Sequence, residues 1–523
     1  MIKKSIRPYL ILSAAAIVLL FFQLGGTSLY ILDEVKNATC ALEMKERGDW
    51  IVPTFNNELR TDKPVLHYYF MRLGYAIFGT NAWGARFFSA FFGLVLVLLS
   101  YYFTSKLIDK KTAWYQALIL LASLQFMVQF RLAVPDPYLI VWLYLTFIFL
   151  YKGLEEQNQI IMAYVFAALG FLTKGLIAIV LPGLVMLVYL LWTKRFTFTT
   201  LKTLRIPEGI LVFLLITLPW YIAVGIQTKG VWLSGFFLKH NLERYTSTME
   251  GHNGFFLLPF LMLFAALLPY SLFSFPAIRK IFKQEVNPFT RYALVVVVVV
   301  GLFFSLSRTM LPTYIGPAIP FLALILAYHI RRIKAGRRRK TTTQILYLML
   351  FISICIPLGA FLALEEQAQL AKYAHLSLFL LPLTLGSGLA IYFWHRKKKN
   401  AVFICTSAGW AFTGLFFFSI IWPELYNENP VQKSSTIWKK YDKVVAYKQF
   451  NPAFVWSLGR NIPVYHDLNA LQNELSGKEN RVLILSRAKY ADELLQLKQT
   501  TKVFEQQDLF ESSKTILINV QKN

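Results

Sequence analysis

Residues 291–340 read RYALVVVVVVGLFFSLSRTMLPTYIGPAIPFLALILAYHIRRIKAGRRRK. Two apolar runs, 291–307 and 313–330, flank a short turn carrying Arg308, and Tyr314 stands at the start of the second run. The second run stops at a dense block of Lys and Arg between Arg331 and Lys340. Apolar runs of about 17–25 residues suit helices that cross a hydrocarbon layer, and short cytoplasmic segments retain Lys and Arg. The stretch therefore predicts two transmembrane helices joined by an outer turn, with the basic block in the cytoplasm.

The same alternation runs through the chain. Lys3/Lys4/Arg7, Lys106/Lys110/Lys111, Lys152, Lys194 to Arg205, Arg279 to Arg291, Arg331 to Lys340 and Arg396 to Lys399 fall on alternate segments and hold about half of the 54 Lys and Arg. The net charge of +26 is thus largely a topology signal. No nucleic-acid recognition fold is visible, and nucleic acid is excluded as a partner. With 56% hydrophobic and 16% charged residues in 523, the chain reads as an all-α polytopic membrane protein. Thirteen spans are expected, at approximately 9–31, 83–105, 113–133, 137–151, 159–173, 175–192, 208–226, 255–275, 291–307, 313–330, 343–363, 375–394 and 401–422. The first is expected to be an uncleaved anchor, because apolar character resumes after Gly25-Gly26-Thr27-Ser28. An odd count puts the N-terminus in the cytoplasm and the C-terminus outside. Cys40, Cys355 and Cys405 are too dispersed to suggest a disulfide framework or a thiolate metal site.

Residues 1–422 are expected to form the membrane domain. Within it, 32–82 is an outer loop whose stretch from Glu34 to Arg47 reads as a surface helix, with Val35, Ala38, Cys40, Ala41 and Leu42 toward the membrane. A second amphipathic piece follows Pro64. Beyond Trp422-Pro423 the apolar density collapses, and 423–523 reads as a small soluble α/β domain. Its strands are expected at 444–447, 481–485 and 515–520, and its helices at 467–475 and 491–497.

Given this topology, Asp33, Glu34, Asp62, Lys63, Asp136, Lys174, Arg244, His252, Arg308 and Tyr314 all fall on the outer side. Charge near membrane depth is costly and is usually paired or functional. Each residue also has a structural explanation. Asp33 and Glu34 suit the first turn of a helix, and Asp136 sits in a Pro-Asp-Pro turn. Lys63 and Lys174 suit interfacial anchors. Their shared side favours one polar site, in which Lys63, Lys174, Arg244 and Arg308 would bind phosphate and carboxylates would balance the field. His240, His252, Asp62 and Glu34 lack the tight spacing of a metal site, so a divalent metal has only weak support and no cofactor is required.

Asp33-Glu34, the run Ala41 to Pro53, Asp62-Lys63-Pro64, Phe78-Gly79 and Ala85-Arg86 resemble the first outer loop of lipid-linked-sugar glycosyltransferases of the aminoarabinose-transferase and protein-mannosyltransferase superfamily. Asp136-Pro137, Gly170 to Gly175, Leu218 to Tyr221, Asn241 to Tyr245 and Ser307 to Tyr314 are similar in order and spacing to later motifs of that family. The resemblance implies a glycosyltransferase-C type fold with a periplasmic α/β domain, in the bacterial inner membrane. It further implies a polyprenyl monophosphate sugar donor such as undecaprenyl phosphate, an acceptor such as lipid A, another envelope glycan or lipid, or protein Ser/Thr, and inversion at the anomeric carbon. By the same resemblance Asp33 is the catalytic carboxylate, Asp136 supports it, and Lys63, Lys174 and Arg308 or Arg244 hold the donor phosphate. A monomer is expected. The rival class, a flippase or transporter of lipid-linked sugars, would place its site nearer the midplane between repeats, and no repeat is evident.

Overall fold

The computed structural model describes the chain except residues 1, 243–254, 308–310, 334–338, 368, 476–480, 498, 510 and 522–523. The chain begins with α1 (Ile2–Phe21), α2 (Leu32–Glu46), α3 (Leu66–Phe78) and α4 (Ala82–Leu107), followed by α5 (Lys110–Leu121) and α6 (Leu124–Phe130). Next come α7 (Asp136–Gly153), α8 (Ile160–Lys174) and α9 (Ile177–Trp192). Helices dominate because a chain in hydrocarbon must satisfy its own backbone polar groups within each segment.

Among the described residues, seven helices are long and apolar enough to cross a membrane. They are Ala82–Leu107, Phe198–Gln227, Pro288–Ser305, Pro312–Arg331, Lys340–Glu366, Ala371–His395 and Lys399–Tyr426. Two sharply bent pairs, each taken as one crossing, bring the count to nine. The expected span 113–133 is one of them, broken between α5 and α6 with a 70° bend. There the Ser123 hydroxyl accepts from the Phe126 N–H and donates to the Ala266 carbonyl at 2.6 Å. The expected span 255–275 is the other, bent by 114° between Leu258–Ala266 and Tyr270–Lys283. Length and composition thus identify fewer crossings than thirteen: α8 and α9 have only 15 and 16 residues, the apolar part of α1 is Ile6–Phe21, and α7, 18 residues with Asp136 and Lys152 at its ends, is not among the spans. Pro288–Ser305 and Pro312–Arg331 are largely covered by other helices, whereas Phe198–Gln227 and Lys340–Glu366 expose most of their surface.

The expected surface helix is α2, but its apolar side does not face lipid. Val35, Ala38, Cys40 and Ala41 are buried together with Asn37, Thr39 and Glu43, because α3 and the tail helix Ala453–Leu458 pack over them. The Tyr75 hydroxyl donates to the Ala38 carbonyl at 2.9 Å, tying α3 to α2. At the crossing of α3 and α4, a Cβ on Gly74 would meet the Gly84 carbonyl, so only paired glycines permit this approach. Between α2 and α3, β1 (Thr54–Phe55) pairs antiparallel with β2 (Glu58–Leu59). The Glu43 carboxylate secures their turn by accepting from Thr54 Oγ1 and the Asn56 N–H.

Near the C-terminus lies a five-stranded sheet of β3 (Lys443–Tyr447), β4 (Val464–Tyr465), β5 (Arg481–Arg487), β6 (Thr500–Gln507) and β7 (Lys514–Gln521). Its order is β4-β3-β5-β7-β6, with β3 parallel to β4 and β5, and β7 antiparallel to β5 and β6. The three expected strands are present. β4 and β6 were not anticipated: one is two residues long, and the other is polar and largely unburied, so neither shows an apolar run. The sheet region is stitched to the outer loop. Asn56 exchanges hydrogen bonds with the Ile462 backbone at 2.8 and 2.7 Å, and the Leu509 N–H donates to Tyr30 Oη at 3.0 Å.

Candidate functional site

Two antiparallel neighbours, α7 and α8, place the first pair of site residues. Asp136 lies in the first turn of α7, where a carboxylate complements the helix dipole, and Pro137 at the start sacrifices no internal hydrogen bond. Lys174 lies in the last turn of α8, where a cation is favoured. Gly175 stops that helix with φ +81°, and a Cβ there would run into the Phe236 ring. The two helix ends therefore meet, and Lys174 Nζ donates to Asp136 Oδ1 at 2.8 Å. The same ammonium stands 4.9 Å from the centre of the Tyr314 ring. Asp136, Lys174 and Tyr314, 178 positions apart at their extremes, are thus brought together.

The loop after β2 supplies a second cluster. Trp232 Nε1 donates to the Arg60 carbonyl at 2.8 Å, and Trp220, from the expected Leu218-to-Tyr221 motif, donates to the Ile51 carbonyl. Held in this way, Arg60 Nε and Nη2 each donate to the Asp62 carboxylate at 2.9 Å. Burial would raise the Asp62 pKa, but Arg60 and Lys63 hold it well below the usual carboxylate range. Burial likewise opposes the Arg60 charge, while Tyr68, Asp62, Cys40 and Asp33 sustain it above its ordinary value. Lys63 is itself buried. Next to it, burial, together with Arg60 and Lys63, keeps His67 well below its ordinary pKa, and Lys174 contributes in the same direction. Lys63 and Lys174, from separate segments, thus both disfavour a charge on His67.

Asp33 and Glu34 are adjacent in sequence but opposite in environment. Ile31, not Asp33, occupies the helix-cap position of α2, and no side chain caps the helix. The Asp33 side chain is exposed, and its charge is felt by Arg60. Glu34 is 0% exposed. It takes a two-pronged contact from Arg86, Nε to Oε1 and Nη2 to Oε2, both at 2.7 Å. The Ala133 N–H also donates to its Oε1, at 2.9 Å. Arg86 completes its own set with the carbonyls of Leu24 and Thr27. Glu34, expected to serve the site, therefore has both oxygens engaged in a buried pair with Arg86.

Arg244, His252 and Arg308 lie outside the described residues. Among those described, no three His, Cys, Asp or Glu side chains gather as a metal ion would require. Two side chains were missed. Arg60 has Nη1 buried without a hydrogen-bond partner among the described residues, and His67 has Nδ1 in the same condition while its Nε2 meets Asn37 Oδ1 at 3.2 Å. The available signal was the close sequence Arg60-Thr61-Asp62-Lys63, two cations around a carboxylate at the mouth of a membrane protein.

A multi-span helical membrane protein with a mixed-charge cluster where the loop between α2 and α3 meets the helix ends is the class that this fold and site define. The chain resembles lipid-linked-sugar glycosyltransferases. Residues 62–222 match the family described as dolichyl-phosphate-mannose-protein mannosyltransferase. The undecaprenyl phosphate-alpha-4-amino-4-deoxy-L-arabinose arabinosyl transferase of Shewanella sediminis is 29% identical over 334 residues, 62% of this chain and 60% of that protein. The protein of the same name from Pseudomonas savastanoi pv. phaseolicola is 31% identical, over 61% of each. The chain thus spans about three fifths of the length of these relatives. The crystal structure of ArnT from Cupriavidus metallidurans bound to undecaprenyl phosphate has the same fold, with TM-score 0.81, 19% identity and 97% of both chains covered.

Proposed function

We propose that this chain is an inverting glycosyltransferase that moves a sugar from a polyprenyl monophosphate to lipid A or another envelope acceptor on the periplasmic face of the bacterial inner membrane. The observation that carries this reading is the meeting of Lys174 with Asp136 and with the Tyr314 ring, near an Arg60–Asp62 pair in the loop that also carries Lys63. The names of the arabinosyl transferase relatives supply the donor class. Lys63 and Lys174, with Arg244 and Arg308, neutralise the departing phosphate, so its oxygen leaves without a strong general acid. The acceptor oxygen forms the new bond to the anomeric carbon as the bond to the phosphate oxygen breaks. Asp33 receives the proton when the acceptor is a hydroxyl; when it is a phosphate already ionised, Asp33 orients it and stabilises positive charge on the sugar. Asp136 positions Lys174, and Asp62 positions Arg60.

Counting α1, α7, α8 and α9 as crossings brings the total to thirteen, with the N-terminus cytoplasmic and 423–523 a periplasmic domain behind the loop 32–82. The enzyme is read as a monomer. The family match at 62–222 favours a second acceptor class, Ser/Thr of exported proteins. Mass spectrometry of lipid A, envelope glycans and exported proteins from cells with and without the protein tests the reading. A sugar increment lost on deletion and not restored by Asp33→Asn supports it, and unchanged spectra for all three would refute it.

A further inference from the structure

Far from Asp33, a cavity of about 720 Å³ opens beside the helix Ser274–Lys283, the C-terminal end of Ile319–Arg331 and the first turns of Arg339–Glu366. Arg279, Lys280, Lys283 and Arg332 line it with Thr341 and Thr342, and among the described residues no carboxylate lines it. The segment Pro312–Arg331 measures the separation from the site above. Tyr314, at its start, stands over Lys174, and Arg332 follows its end. Its 20 residues span about 30 Å, the thickness of the hydrocarbon layer.

The helix that carries three of these cations has two unlike faces. Phe275 and Phe282 are 76% and 67% exposed, while Ala277 and Ile281 pack inward. The segment Tyr270–Lys283 departs at 114° from Leu258–Ala266, which directs its last part, Ser274–Lys283, along the membrane surface where the crossing 255–275 ends. Exposed aromatic rings beside a cationic cavity are the pattern of an interfacial helix that holds an anionic amphiphile. We infer that this cavity binds the phosphate headgroup of an anionic membrane lipid, whose acyl chains lie along Phe275 and Phe282. A free phosphate shares the headgroup's charge and hydrogen-bonding needs, but the aromatic flank favours the lipid. The site shares no residue with the sugar-transfer site and does not depend on which sugar is moved. The topology proposed above places it in the cytoplasmic leaflet.

The test uses the purified full chain in nanodiscs of mixed phosphatidylglycerol and phosphatidylcholine, with bound lipid read by native mass spectrometry. Wild type should retain phosphatidylglycerol selectively. The variant Arg279→Gln/Lys283→Gln/Arg332→Gln should lose that retention by on the order of tenfold or more, whereas the control Lys397→Gln/Lys398→Gln, on the same side but outside the cavity, should keep it. Equal retention of the two lipids by wild type would overturn the proposal without recourse to any variant. So would unchanged selectivity in the triple variant. Inorganic phosphate at the same concentration should leave the lipid bound; displacement by phosphate alone would assign the cavity to a free anion and reject the lipid. Sugar transfer is measured in parallel, so failure of this proposal remains distinct from failure of the functional one.

Discussion

Replacing Glu34 by Gln and, separately, Asp33 by Asn changes two adjacent carboxylates by the same chemical step, yet the two substitutions should have opposite consequences. Three donors, Arg86 Nε, Arg86 Nη2 and the Ala133 N–H, converge on the two Glu34 oxygens at 2.7, 2.7 and 2.9 Å. An amide keeps only one oxygen, so at least one of these donors would face an NH₂ group, and the Arg86 charge would remain buried without its counter-charge. Breaking such a pair costs about 3–5 kcal/mol. Arg86→Lys should also be harmful, since one ammonium cannot reproduce the fork. Joint replacement by Leu and Met should recover stability only in part, because the Leu24 and Thr27 carbonyls that Arg86 serves would be left unbonded. Asp33→Asn removes an exposed charge and should alter stability by less than about 0.5 kcal/mol, while abolishing transfer. Melting in detergent followed by tryptophan fluorescence, beside an in vitro transfer assay, separates the two effects. Wild-type melting of Glu34→Gln with transfer lost would refute the structural assignment of Glu34 and return it to the catalytic site.

Lys63→Ala and Lys174→Ala should each weaken polyprenyl phosphate binding by about 1.5–3 kcal/mol in titrations of purified protein, and the double variant should be less than additive because both act on one phosphate. Unchanged affinity in both single variants would leave these lysines as anchors. Gly175→Ala should destabilise by more than about 1 kcal/mol, since it requires φ +81° at a position where Phe236 blocks a Cβ; an unaltered melting profile would contradict the packing there. The depressed pKa of Asp62 predicts that its pair with Arg60 contributes full stability above the unfolded value of about 3.9 and loses it only as pH falls below that. The melting difference between wild type and Asp62→Asn should therefore stay constant from about pH 5 upward and shrink in stronger acid.

Apolar run length, the alternation of Lys and Arg, and the gathering of polar residues on one side are properties of the linear chain. They made the helical membrane class legible before any folding, and they singled out Asp136, Lys174 and Tyr314, which the fold brings into contact. Membrane insertion reads length and charge segment by segment, which is why such signals survive in sequence. Which carboxylate stands open and which is sealed was decided by tertiary packing. Asp33 and Glu34 have the same local neighbours, and only Arg86, 52 positions beyond Glu34, together with the Ala133 backbone, separates their roles. The burial of α2 depended likewise on α3 and the tail helix Ala453–Leu458, neither of which its own periodicity can reveal. Arg60 and His67 entered the site because Trp232 and Asn37 hold them there. Pairing between distant side chains depends on their separation in space, and the local pattern of residues does not carry that distance.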